Sequence, residues 1–124
     1  MSGYKVISRN PCDFICYANS ILFLIECKTI KGKSFPFSNL TQYDRIKEYV
    51  GIEGVRCGVI IWYYDCDKVV YIPISTVTQM LNDNLKSVNI QKISNHNIIE
   101  IPSKKLRTFM ESDYSCLLDL KEGD

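Results

Sequence analysis

Two stretches of the chain are apolar at nearly every position. Ile21-Leu22-Phe23-Leu24-Ile25 is one, and the run from Arg56 to Tyr64, rich in Val, Ile and aromatics, is the other. Apolar residues on both alternating faces read as central, fully buried strands. The first extends from Ile21 to Lys28. A shorter strand from Cys12 to Tyr17 precedes it across a turn at Ala18-Asn19-Ser20, as in a hairpin. Leu40, Tyr43, Ile46 and Val50 recur at helical spacing, so a helix is expected over 40–50, closed by Gly51 and Gly54. That helix makes the crossover that lets the 56–64 strand lie parallel to the 21–28 strand.

Asp65-Cys66-Asp67 turns the chain into a further strand, Lys68 to Pro73. Ser75 is the expected N-cap of a helix to about Asn82, with Val77, Met80 and Leu81 inward. The basic loop 29–38 and the polar segment 82–97 read as irregular. Ile98 to Ile101 reads as a short strand, and Ser103 as the cap of a short basic helix ending near Met110. The order ββαββα is that of an α/β protein with a sheet core flanked by helices.

The length of 124 residues suits one domain, 1–124, with an acidic and loosely held tail over 111–124. No apolar run approaches the roughly 18 residues of a membrane span, and the N-terminus carries no apolar signal segment. Six cysteines (12, 16, 27, 57, 66, 116) form no Cys-x-x-Cys pair, and four of them lie in apolar strand-like runs. Reduced, buried thiols of a cytoplasmic protein are therefore expected. His96 is the single histidine and the cysteine spacings do not match a zinc site, so none is expected; His96 lies in a polar loop and is read as a surface residue without a role. Trp62, Tyr63, Tyr64 and Tyr71 are read as packing the sheet, where aromatics fit best, ahead of stacking on bases.

The net charge of +1 counts mildly against nucleic acid, but the distribution is uneven. Lys31 and Lys33 sit in one loop, and Arg45 and Lys47 follow on the helix. Lys104, Lys105 and Arg107 form another cluster. A segregated field of this kind can hold phosphates without a large net charge.

The chemistry gathers at the end of the second strand. Leu22, Leu24, Glu26 and Lys28 share one face by period-two alternation. Glu26 and Lys28 start about 7 Å apart, and both can reach a point beside Asp13 on the neighbouring strand. Two carboxylates and an amine there form a divalent-metal site with a proton-handling neighbour. The other reading of the same residues is an ion pair where a strand leaves the core.

Pro11-Cys12-Asp13 followed by Glu26-Cys27-Lys28 resembles the PD-(D/E)xK nuclease superfamily. With Thr29-Ile30-Lys31-Gly32-Lys33-Ser34-Phe35-Pro36-Phe37 after it, the segment is most similar to the RecU-type Holliday junction resolvases, over roughly residues 7–73. The resemblance implies a restriction-endonuclease-like mixed β-sheet core. It implies that Asp13, Glu26 and the Cys27 carbonyl hold Mg²⁺, or Mn²⁺, while Lys28 positions or activates the attacking water. Lys31, Lys33, Arg45 and Lys47 are then the expected DNA contacts, the substrate is branched or duplex DNA, and a homodimer is implied. A bacterial or phage-infected cytoplasm is the matching setting.

Two departures accompany the resemblance. The family's usual N-terminal helix is lacking, since only ten residues precede Pro11 and none is acidic. The family's Gln, early in the helix after Phe-Pro, has Gln42 as its counterpart, although an ungapped reading from Asn39 puts Asp44 there. Gln42 also has a structural reading, as the partner of an Asn39 N-cap in a capping box. The competing functions are another DNA nuclease of the same fold, or a catalytically weak binding or inhibitory protein derived from it.

Overall fold

Asn19 and Ser20 both have positive φ, 52° and 64°. Two such residues in succession make the tight turn whose twist matches that of a hairpin, and here it joins β1 (Phe14–Ala18) to β2 (Ile21–Ile30). The computed structural model describes residues 13–95, 97–106 and 109–112. Antiparallel pairing runs from Ala18↔Ile21 to Phe14↔Ile25. β4 (Val55–Tyr63) lies on the other side of β2, parallel to it, from Leu22↔Val55 to Ile30↔Tyr63. β5 (Lys68–Pro73) returns antiparallel to β4, and β7 (Ile99–Ile101) closes a five-stranded sheet of order β1-β2-β4-β5-β7. The expected mixed α/β core and the parallel β2–β4 pair are both present. They are consistent with a restriction-endonuclease-like fold.

One face of this sheet carries Leu24, Cys57, Val59, Ile61, Tyr63, Val70 and Ile72. Against it pack Phe35, Phe37, Leu40 and Ile46 from the crossover and Ile74, Val77 and Met80 from α2 (Ile74–Asn82). Tyr43 Oη and Thr78 Oγ1, 2.7 Å apart, tie the crossover to α2. The opposite face carries Phe23, Ile25, Ile60, Val69, Tyr71 and Ile101. The Tyr71 ring fills the space over Gly58, where a Cβ would collide with it. The aromatic residues Tyr63 and Tyr71 are thus core, as expected, and the Tyr63 hydroxyl donates to the Val88 carbonyl at 2.9 Å.

Several expectations need correction. The crossover is not one helix over 40–50. It is a 3₁₀ turn, Phe37–Asn39, then α1 (Tyr43–Ile46), then a second 3₁₀ turn, Lys47–Tyr49. Gln42 is the N-cap of α1 and makes no side-chain capping bond, so the Asn39–Gln42 capping box does not form. The loop 29–38 contains β3 (Ser34–Pro36), which pairs with β6 (Ser87–Asn89) from the segment expected to be irregular. A 3₁₀ segment, Ile90–Asn95, follows β6. Pro73, not Ser75, is the N-cap of α2. That helix ends in a Schellman closure, where Asn84 adopts a positive φ of 64° and the Leu85 amide bonds the Met80 carbonyl, and Leu81, expected inward, is exposed.

The basic segment after Ser103 is not a helix. It forms β8 (Ser103–Leu106) and β9 (Phe109–Ser112), a separate hairpin. Cys57 is buried as expected, but Cys16 is exposed on the edge strand β1, and Cys27 and Cys66 are half-buried. Pro11, Cys12, His96, Arg107, Cys116 and the acidic residues from 113 onward lie outside the described residues. No helix among the described residues is long and apolar enough to cross a membrane.

Candidate active site

β2 is buried from Phe23 to Glu26 and opens from Cys27 onward, and period-two alternation sets Glu26 and Lys28 on the face covered by the crossover. Glu26 is fully buried, at 0 % exposure, and the Lys28 side chain retains 26 %. Lys28 Nζ lies 3.3 Å from Glu26 Oε2. The hairpin register carries Asp13, one residue before Phe14, to the level of Glu26. There Asp13 is exposed, and its Oδ2 accepts the Cys27 amide at 2.9 Å. The three residues expected at one point are therefore together.

A buried carboxylate needs compensation, and Glu26 has little. Its compensation is the Lys28 ammonium 3.3 Å away, and neither carboxylate oxygen has a well-aligned hydrogen bond. Burial pushes the Glu26 carboxyl above its ordinary range, and the Asp13 charge pushes the same way. Lys28 opposes both, through hydrogen bonding and then through charge, and the Gln42 backbone amide adds a smaller opposing effect.

Gln42 is thus brought to the site from the crossover. Its side-chain Oε1 is also buried without a partner. Asp44, the alternative counterpart, is not in that position: its side chain is 90 % exposed and pairs with Lys47 at 3.2 Å.

Both Glu26 oxygens and the Gln42 Oε1 are buried without an aligned hydrogen bond, and the Asp13 carboxylate is exposed at the level of Glu26. Unmet acceptors of this kind fit a hard cation that takes oxygen ligands and retains several waters, as Mg²⁺ does. Among the described residues, no group of three or more His, Cys, Asp or Glu could hold a metal ion.

The basic residues divide into two sets. Lys31 and Lys33 are exposed on the turn that leaves β2, three and five residues beyond Lys28. Arg45 is half-buried on α1. The Lys47 ammonium pairs with Asp44 and sits 5.2 Å over the Tyr43 ring, so local contacts already engage it. A groove lined by Pro36, Phe37, Leu40, Tyr43, Leu81 and Lys86 lies beside α1 and includes none of Asp13, Glu26 or Lys28. Sequence reasoning missed Asp65, whose Oδ2 accepts the Gly32 amide at 3.0 Å. Only its place in a turn marked it.

The comparison with known families gives a match over most of the chain. The family described as RecU, recombination protein U, matches residues 5–114. A search of curated proteins gave no match.

Proposed function

The chain belongs to the RecU family, the Holliday junction resolvases, and from that premise we propose that it cuts branched DNA as a Mg²⁺-dependent endonuclease acting as a homodimer. The observation that carries this reading is the fully buried, unsatisfied Glu26 carboxylate beside Asp13 and Lys28. A sheet protein gains nothing in stability from such a group.

Asp13 and Glu26 would hold the ion, with the Cys27 carbonyl completing the protein ligands. When bound, the ion lowers the pKa of its water and neutralises charge on the phosphate. Lys28 balances the Glu26 charge and then orients the attacking water or stabilises the charged transition state. The Gln42 backbone reaches Glu26 and its side-chain oxygen is a buried acceptor without a hydrogen bond, which suits holding a water proton. Lys31 and Lys33 contact the backbone phosphates beyond the scissile bond, with Arg45 and Lys47 on a second approach. A four-way junction presents two equivalent strands, so symmetrical cutting calls for a two-fold dimer.

The decisive experiment is cleavage of a synthetic four-way junction in Mg²⁺ and in EDTA. Paired nicks of the continuous chain in Mg²⁺ only, with binding that weakens steeply as salt rises, support the reading. Binding without cleavage in either Mg²⁺ or Mn²⁺ would return the protein to the class of binding proteins built on this fold.

A further inference from the structure

The turn between β4 and β5 reaches across to the turn that leaves β2. Tyr63↔Lys68 closes the hairpin, the Cys66 amide donates to the Tyr63 carbonyl at 3.0 Å, and Asp67 takes a φ of 52°. This geometry presents Asp65 at the tip. The Tyr64 amide donates to the Ile30 carbonyl at 3.3 Å, and the next residue, Asp65, accepts the Gly32 amide on Oδ2 at 3.0 Å. From the other side the Ile90 amide donates to the Lys33 carbonyl at 2.8 Å.

The segment Lys31-Gly32-Lys33 is thus held by its backbone at both ends, with both lysine side chains exposed. Gly32 has a φ of 93°, and nothing lies within 4 Å of where its Cβ would be. Glycine is needed there for the backbone bend and not for space.

We propose that Asp65 is a positioning residue for phosphate binding: it fixes the Lys31-Gly32-Lys33 turn so that the two ammonium groups meet the DNA backbone in a set geometry. The inference rests on the branched-DNA reading above. An acidic side chain next to two phosphate-binding lysines is unfavourable for the attraction itself. Among the described residues, neither Lys31 nor Lys33 has an ion-pair partner, so the Asp65 carboxylate serves the Gly32 amide and not an ammonium. What it contributes is order before binding, which removes part of the conformational cost of the complex. The charge and the acceptor oxygen therefore act in opposite directions, and two substitutions separate them.

The test is a titration of a labelled four-way junction with the full chain, as parent, Asp65→Ala and Asp65→Asn, at several salt concentrations. Steady-state cleavage and hydrogen exchange of the Gly32 amide without DNA accompany it. Asp65→Ala is expected to expose the Gly32 amide to exchange and to weaken binding and raise KM by about tenfold, the factor matching the ordering of about one residue, with kcat unchanged. Asp65→Asn keeps an acceptor and drops the charge, so it is expected to protect Gly32 and bind at least as tightly as the parent.

Tighter binding by both variants would mean that only charge matters, and binding of Asp65→Ala equal to the parent would mean that the bond is idle. Either overturns the proposal. If Asp65→Ala does not fold, Asp65→Asn decides alone, and weaker binding by it is the overturning result. A parent that does not bind the junction overturns the branched-DNA reading, and with it the phosphate role of Asp65. Gly32 exchange then still separates that outcome from an Asp65 that anchors nothing.

Discussion

Asp13 and Cys27 are joined by a 2.9 Å hydrogen bond from the Cys27 amide to Oδ2, so the carboxylate of one strand is fixed to the strand that carries Glu26. The bond sets Asp13 at the level of Glu26, where its charge raises the Glu26 pKa. Asp13→Asn keeps an oxygen for the amide and removes that charge. Its expected result is a lower Glu26 pKa than in the parent, read from the carboxyl carbon chemical shift of Glu26 against pH. An unchanged titration would mean that the two carboxylates do not sense each other.

Glu26 links stability to pH. Its pKa is raised in the folded chain, so folding favours the protonated form. That contribution is complete below the ordinary carboxylate pKa, and it is lost as pH rises through the raised value. Without metal, the parent should therefore lose thermal stability over that window, and Glu26→Gln should lose less. With Mg²⁺ or Mn²⁺ the order reverses: the ionised parent should gain melting temperature by mass action and Glu26→Gln should not. Calorimetric scans at several pH values, with metal and with EDTA, would show both effects. A Glu26→Gln protein still stabilised by the ion would remove Glu26 from the ligands.

Lys28 stands against Glu26 at the opening of the site. If it were only half of an ion pair with the buried Glu26, its loss would leave that carboxylate uncompensated and cost stability, but leave activity alone. As a group that handles the attacking water, Lys28→Ala should retain junction binding and cut about 100-fold more slowly or worse. It should also raise the Glu26 pKa further, because the Lys28 charge lowers it in the parent. Single-turnover cleavage distinguishes the cases, and a rate within about threefold of the parent would dismiss the catalytic role.

Gly58 tests the opposite sheet face, away from the site. A methyl group there runs into the Tyr71 ring, which is fully buried and has nowhere to swing without moving its neighbours. Gly58→Ala should destabilise by about 1–3 kcal/mol, as overpacked cores do, without changing the affinity for metal. Chemical denaturation with and without the ion would check both parts.

The central strands were legible because Ile21 to Ile25 and Arg56 to Tyr64 are apolar on both faces, a pattern that few elements other than a buried strand produce. Asp13, Glu26 and Lys28 were legible for a related reason: a short hairpin and a period of two fix their relative places before any distant contact is known. The position of Gln42 was not, because its place beside Glu26 depends on how the crossover settles on the sheet. The Ser103 segment was misread because a polar cap and basic residues resemble a helix start, whereas its strand state depends on pairing Lys104 with Glu111 and Leu106 with Phe109. Asp65 was unmarked because a turn aspartate has the same local sequence whether or not its carboxylate finds an amide 33 positions away.

The two-residue turn at Asn19 and Ser20 also bears on how the site comes into being. β1 and β2 pair locally, and hairpins of this kind form within about 1–10 μs. The β2–β4 pairing must instead await closure of residues 31–54, and the crossover is what buries Glu26. In the early hairpin both carboxylates are still in water. The cost of burying the Glu26 charge falls on the later closing step, so acid, which neutralises that carboxyl beforehand, should hasten the final stage of folding. The hairpin thus sets Asp13 level with Glu26 before the rest of the sheet forms, and the burial of Glu26 comes last.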